Sequence, residues 1–408
     1  MRECLGVLSK IHYGKSPNEV LSEDGGIPII GTGGVYGQAN RALFPEGIVV
    51  ARKGSLGTPH LLRSPFWPVD TTYAVIPNQN VDIAWLYYCL LNFDLTKLNE
   101  ATGVPSINRS WLAKVAFCNP GFDQQRKIAA ILSGIDTAIE KTEALIEKYQ
   151  QIKAGLMHDL FTRGVLPNGQ LRSPREQAPE LYRETAIGWI PRDWGISAVE
   201  ELLAPIPNNI RSGPFGSALL KSELVEGGIP LLGIDNIHVE RFDQTFRRFV
   251  SQRKFQELAR YSVRPKDVVI TIMGTVGRSC VLPDDIGEAL SSKHLWTMSF
   301  DVNKVLPDLV CWQLNHSSWA KAWFRRAAQG GVMDAIQSQT LKSLRLPVPS
   351  TEEQDAIEER YSALSQRIQR ETDSCVKLRA KKLGLMQDLL TGKVQVKVAA
   401  ETAELAVG

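Results

Sequence analysis

Two stretches of the chain share one hydrophobic rhythm. From Asp123 to Phe161, apolar side chains recur at alternating steps of four and three: Ile128, Leu132, Ile135, Ile139, Ile146, Tyr149, Leu156 and Leu160, interrupted by Thr142 and Lys153. Shifted by 229 positions the rhythm returns at Ile357, Tyr361, Leu364, Ile368, Leu378, Leu385 and Leu389, interrupted by Glu371, Cys375 and Lys382. A mean step of about 3.5 residues is that of a coiled-coil seam. The spacing predicts one long helix over 123–163 and another over 351–393. At ~1.5 Å per residue, each reaches about 58 Å. Neither persists alone in water with its apolar stripe exposed, so the two are expected to pair as an antiparallel coiled coil. The alternative, an ordinary core helix for each stripe, conflicts with the ~11–12 residues typical of such helices. On this reading Leu132→Asp with Leu364→Asp unfolds the helical pair and leaves the globules intact.

Before each helix the texture changes. Short β-branched runs such as Ile48–Val50 and Val268–Ile272, bounded by Gly and Asp, read as buried strands. Segments 82–91 and 309–314 read as helices flanking a sheet. The fold class expected is α+β: two mixed α/β globules in tandem, at 1–122 and 188–350, with a linker at 164–187 and a frayed tail at 394–408. Proline and glycine at 164, 167, 169 and 174 break structure in the linker.

The chain is an internal duplication. Gly155–Val165 and Gly384–Val394 are identical at seven of eleven positions, and Pro120, Gln125 and Ile128 match Pro349, Gln354 and Ile357 at the same offset. Upstream, 46–57 resembles 266–277 at offset 220, and 26–31 resembles 228–233 at offset 202, so Met1 aligns near position 203. The second copy opens on Gly188-Trp-Ile-Pro-Arg-Asp-Trp194, which has no counterpart in the first.

Composition narrows the function. The 408 residues carry a formal charge of only +3, and 43% of them are hydrophobic. Mean hydropathy is −0.13, with no apolar run of ~18 residues for a membrane span. The first residues have no apolar core of a signal peptide, and the six cysteines are scattered without a Cys-x-x-Cys, so a cytoplasmic, reduced protein is expected. Positive charge is local: residues 241–266 hold eight Arg and Lys against two acidic residues, interleaved with Phe and Tyr. This stretch coincides with an 18-residue insertion, since 233 to 267 spans 34 positions where 31 to 47 spans 16. Such a segment is either a phosphate- or base-contacting arm or a solvated element whose aromatics anchor it to the sheet.

Catalytic motifs do not emerge. The sequence has no phosphate-binding Gly-x-x-x-x-Gly-Lys-Ser/Thr and no His-Glu-x-x-His, and its six histidines are isolated. Gly31-Thr-Gly-Gly-Val-Tyr-Gly37 misplaces the last glycine of a dinucleotide loop and reads as a surface turn. The Asn-Pro-Pro-aromatic loop of an amino-methyltransferase is absent, and Pro283-Asp284 with Lys293 lacks the spacing of a nuclease core. A non-enzyme with no cofactor or metal of its own is expected.

Two globules, each followed by a long helix, resemble the DNA-specificity subunit of a type I restriction-modification system. The resemblance rests on the Gly188–Trp194 opening, Asp267-Val-Val-Ile-Thr271 with Gly274-Thr-Val-Gly277, Ser291-Ser-Lys-His-Leu295, Gly331-Val, Leu341-Lys-x-Leu344 and Pro347–Gln354, echoed in order by the first copy. It implies two target recognition domains reading an asymmetric, bipartite double-stranded DNA site across a helical ruler. It also implies modification subunits that bring S-adenosylmethionine chemistry and an ATP-driven restriction subunit as partners. DNA contacts are then expected from Arg52, Lys53, Ser55, Thr71, Thr72, Asn108 and Arg109 in the first globule. In the second they are expected from Arg247, Arg248, Thr275, Arg278, Lys293, His294 and Gln337. Arg reads guanine and Asn or Gln adenine, while Lys, Ser and Thr more often hold phosphates. A coiled-coil adaptor for another defence or modification machine, or a scaffold that binds no DNA, are the competing classes.

Overall fold

The computed structural model describes residues 1–328 and 336–397. These form two compact units, residues 1–146 with 370–397 and residues 147–369. The architecture is α+β.

In the first unit a four-stranded antiparallel sheet has the order Ser9–Tyr13, Thr72–Pro77, Gly47–Ala51, His60–Leu62. Every residue of Gly47–Ala51 is buried because both sheet faces are covered. Alternation sends Ile48 and Val50 into a core with Trp85, Leu86 and Leu90 of the helix Ile83–Asn92, and Val49 against Ile30, Phe66 and Ala74 on the other face. The helix starts where Asp82 accepts a bond from the Trp85 amide at 2.9 Å.

The second unit repeats the plan: Ile210–Ser212, Leu295–Met298, Val268–Thr271, Ser279–Val281, antiparallel throughout. Val268 and Ile270 face a core with Val310 and Leu314 of the helix Pro307–His316, and Val269 faces Leu232, Cys280 and Leu282. Strand pairing corrects one sequence alignment. Arg2–Cys4 pairs with Ala116–Cys118 as Gly195–Ala198 pairs with Arg345–Val348. Met1 therefore stands at position 195 of the second copy rather than near 203, because the offset of the Gly-Ile-Pro block already contains an insertion.

The long helices run Phe122–Thr162 and Thr351–Leu390. Both end short of the expected 163 and 393, just before Gly164 (φ +64°) and Gly392 (φ +75°), which adopt the left-handed conformation. Each enters its globule through one glutamine. The Gln125 side chain accepts from the Asp82 amide (2.8 Å) and donates to Asn119 (2.7 Å) and the Pro120 carbonyl (3.2 Å). Gln354 accepts from the Leu306 amide (2.8 Å) and donates to the carbonyls of Lys304 (3.0 Å) and Pro349 (3.1 Å). Both are 1% exposed, so these bonds satisfy groups that water cannot reach.

Every predicted seam position is buried or half-buried. In the first unit the helices run in opposite directions, with Asp136 bonded to Lys382 (2.5 Å) and Glu143 to Arg379. In the second, the Lys153 ammonium lies 4.4 Å from the Tyr361 ring and Arg367 lies 5.7 Å from Tyr149. The shared polar interruptions have a common role. Lys153 reaches past Tyr361 to Glu240 (3.0 Å), and Lys382 reaches past Tyr88 (5.5 Å) to Asp136. At the ends, however, the seam merges with the globules: Ile128, Leu132 and Leu389 belong to the first core, Leu160, Ile357 and Tyr361 to the second. Leu132→Asp would therefore strike a globule core as well as the helical pair, contrary to the sequence expectation.

The expected linker is structured. Tyr182–Thr185 pairs with Gly188–Pro191, so the hairpin opening the second globule begins before position 188. Glu353 organises this region: it binds Arg172 twice (2.5 and 2.9 Å), the Trp194 indole N–H (3.0 Å) and the Val165 amide (2.7 Å). A Cβ at Gly164 would fall 2.1 Å from the Glu353 carboxylate, which leaves only glycine there. Residues 394–397, expected to fray, are instead tied down: Gln124 bonds the Val396 carbonyl (3.2 Å) and Lys127 that of Lys397 (2.6 Å). Residues 398–408 and the Gly331-Val motif lie outside the described residues.

Candidate nucleic-acid interface

In the first unit, the basic residues gather around an aromatic ring. The strand Ser9–Tyr13 ends at Tyr13, 47% exposed, with the guanidinium of Arg52 5.3 Å and that of Arg109 5.1 Å from its ring centre. Beneath it, the Tyr73 hydroxyl donates to the Ile107 carbonyl (3.0 Å), and the Ile107 amide donates to Arg52 (2.9 Å). The amides of Arg52 and Lys53 both donate to the Thr71 carbonyl (2.9 and 3.1 Å). Burial pushes the Tyr73 phenol up to about 12, keeping it a neutral donor. Backbone pairing thus brings Arg52, Lys53, Thr71 and Arg109 to one rim, with exposed Ser55 beyond Gly54 (φ +90°).

Two of the expected contacts fare differently. Thr72 is wholly buried and its hydroxyl donates to the Val69 carbonyl (2.7 Å), so it is a core residue and not a DNA contact. It alternates with Thr71 along the chain, and only one of the two can face outward. Asn108 is exposed, but its carbonyl oxygen caps the helix Arg109–Lys114 through the Ser110 amide and hydroxyl (both 2.8 Å).

In the second unit, Arg248, Ser292, Lys293 and His294 line one cleft of 480 Å³ together with Leu219, Leu220, Leu224 and Leu231. Asp235 pairs with Arg248 and lies 3.9 Å from Arg247, which is 73% exposed. The turn holding Thr275 and Arg278 follows the strand Val268–Thr271. It is closed by bonds to the Thr271 hydroxyl, including one from the Arg278 amide (3.2 Å), and Gly274 and Gly277 take positive φ. His294 places Nδ1 3.2 Å from the Met273 sulfur in the same turn. Burial, aided by Lys293 and Arg248, holds its imidazole below the ordinary histidine range, so it is neutral near pH 7. Gln337 is exposed at the start of the helix Ser338–Lys342, and among the described residues no contact joins it to this cleft. Asp267, part of the quoted strand motif, is structural: buried, it pairs with Arg211 and accepts from the Arg264 amide (2.7 Å).

Three residues that the sequence did not mark as DNA contacts lie on these surfaces: Tyr13 under Arg52 and Arg109, Asp70 beside Thr71 in a cleft of the first unit, and Ser292 in that of the second. One signal could have found them. Gly14 and Gly213 each pass so close to the lead-in of the neighbouring strand that a Cβ would fall 2.0 Å from the Val69 carbonyl oxygen or 2.1 Å from that of Ser291. A glycine at the same place in both copies marks where strand end and lead-in meet.

Among the described residues no cluster of three or more His, Cys, Asp or Glu could hold a metal ion, and no helix is long and apolar enough to cross a membrane. Residues 3–151 match the family of the type I restriction modification DNA specificity domain. The chain is 24% identical to the MjaVIII type I restriction enzyme specificity subunit of Methanocaldococcus jannaschii over 326 residues, 78% of this chain and 72% of that one. It is 22% identical to the EcoBI specificity subunit of Escherichia coli over 335 residues, covering 79% and 67%. In fold it is similar to the type I restriction-modification S subunit of M. genitalium (TM-score 0.61, 16% identity, 96% of each chain). It is also similar to a chain from a type I R-M system solved for its complex assembly (TM-score 0.56, 12% identity, 97% and 98%). The domain of this family thus stands at the start of the chain, and the relatives that match most of its length are of one kind, the specificity subunits of type I restriction enzymes.

Proposed function

We propose that each unit reads one half of an asymmetric, bipartite DNA target, and that the two long helices pair as an antiparallel coiled-coil spacer between the halves. Modification subunits dock on this chain and carry out adenine methylation with S-adenosylmethionine, and a restriction subunit supplies ATP-driven translocation and cleavage. The chain contributes recognition and no catalytic group.

One observation carries this reading. The same sheet, helix and glutamine clamp occur twice, and the equivalent edge of each copy gathers charged side chains, Arg52, Lys53 and Arg109 in one, Arg248 and Lys293 in the other. A duplicated framework with unlike rims is what reading two unlike half-sites requires, since phosphate contacts position a reader and side chains at base edges specify the sequence. The test is a methylome. The chain is co-expressed with its modification subunit in a methylation-free host, and modified adenines are read by single-molecule sequencing. The expected result is a gapped, asymmetric motif that disappears without this chain. No new methylation from a soluble complex would count against the reading.

A further inference from the structure

The two units carry a cleft at the same place in the fold, and the clefts differ in chemistry. In the first unit it is lined by Ser16, Asn18, the turn Gly31–Gly34, Asp70 and Thr71, with a volume of 520 Å³. The second is the 480 Å³ cleft of Arg248, Ser292, Lys293 and His294. Strand register makes them equivalent. Ala51 pairs with Thr72 and Thr271 with Leu295, so Thr71 corresponds to His294, Asp70 to Lys293 and Val69 to Ser292. Gly14 and Gly213, at the ends of equivalent strands, lead into the opposite wall of each.

The second cleft is lined by donors. Arg248 Nε and Ser292 Oγ are buried there without a hydrogen-bond partner among the described residues, and Lys293 is exposed beside them. Buried donors are costly to leave unpaired, so this surface is complete only when a ligand brings acceptors. In the major groove guanine alone presents two adjacent acceptors, N7 and O6, and no donor. The leucine wall suits an apolar neighbour such as a thymine methyl group. At the position of Lys293 the first cleft has the carboxylate of Asp70, which only accepts. A carboxylate repels phosphate but takes the amino group of cytosine or adenine.

Resting on the function proposed above, we infer that these equivalent clefts are the base-reading notches of the two units, the second selecting a guanine and the first an amino-bearing base, cytosine or adenine.

The experiment is the methylome of the full chain with its modification subunit, for the wild type and for Ser292→Ala, Lys293→Gln and Asp70→Ala. The Ser292 hydroxyl has no hydrogen-bond partner among the described residues, so its removal is expected to leave the fold intact, and the unaltered half of the motif reports folding within each sample. Ser292→Ala and Lys293→Gln are expected to relax one guanine in one half, by about fivefold or more in matched-over-mismatched methylation. Asp70→Ala is expected to relax one cytosine or adenine in the other half, with the gap unchanged. A uniform loss across all sites with an unaltered motif would identify phosphate contacts and overturn the inference. So would unchanged methylation, or variants of both clefts acting on the same half. A gapped wild-type motif with any of these outcomes leaves the proposed function standing; absence of a wild-type motif removes both.

Discussion

At one register position the first unit carries a carboxylate, Asp70, and the second an ammonium, Lys293. At the helix entry further along each copy, Gln125 and Gln354 make the same three bonds, to a helix-capping amide, to a proline carbonyl and to one further acceptor. Residues that build the framework coincide between the copies, and residues at the rim of the cleft do not. The insertion at 233–267 follows the same division. It adds the short strands Arg241–Phe242 and Phe249–Val250 and the helix Gln252–Glu257, while the order of the four-stranded sheet is unchanged. Burial explains the division. A change at a wholly buried polar position leaves its partners unsatisfied, whereas a rim residue exchanges its partner for water at small cost.

The largest expected effect breaks the equivalence of the two helix entries. Glu353 is buried against Arg172, Trp194 and the Val165 amide. Its counterpart at offset 229, Gln124, bonds the Val396 carbonyl and, among the described residues, no charged group. Glu353→Ala leaves the buried Arg172 guanidinium with Asp193 as its one remaining carboxylate among the described residues, unpairs the Trp194 and Val165 N–H groups, and should destabilise the second unit by about 3 kcal/mol. Gln124→Ala should cost the first unit only about 1 kcal/mol. Urea unfolding followed by hydrogen exchange, which resolves the two units, would distinguish them; equal losses would contradict the asymmetry.

A second comparison lies along the seam. Leu132 is completely buried in the first core, and Leu364 is half-buried where the helices face each other outside it. Leu132→Ala should cost about 2–5 kcal/mol and Leu364→Ala about 1 kcal/mol, measured as shifts in the urea midpoint. A reversed order would mean that the helical pair, not the globule, holds Leu132.

Much of this was legible beforehand. The four-three rhythm locates both helices to within a few residues, because a regular period over some forty positions is a strong signal. The offset of 229 also found Gln125 and Gln354 without showing that they clamp the entries. Thr72 was misassigned because adjacent threonines look alike until strand pairing shows which one faces inward. Thr71 and the turn at 31–37 were singled out, but their meeting with residues 16–18 in one cleft was beyond reach, since tertiary pairing and not sequence proximity gathers them. The same holds for the hairpin at 182–191, hidden in a stretch rich in helix and strand breakers.

The smallest expected effect sharpens the electrostatic contrast of the clefts. The His294 imidazole is held below its ordinary range by burial, Lys293 and Arg248. The unfolded chain therefore takes up this proton first on acidification. Stability contributed by the neutral ring is present above the ordinary histidine range and is lost as pH falls through it toward the folded pKa. In an NMR titration the wild-type midpoint should lie below that of a free histidine, and Lys293→Gln should raise it. An unmoved midpoint would mean that Lys293 does not act on the ring.

The shared seam also has a consequence for synthesis. The sheet of the first unit is made before the second unit, yet its core is completed by Met386, Leu389 and Leu390, which follow the whole of the second unit. Arg172 meets Glu353 only after 181 further residues, roughly 9–36 s at ~5–20 residues per second on the ribosome. The cover that Met386, Leu389 and Leu390 give to the first core comes later still. The duplication that makes the two units alike therefore leaves their synthesis one-sided: the unit that is begun first is the last to be completed.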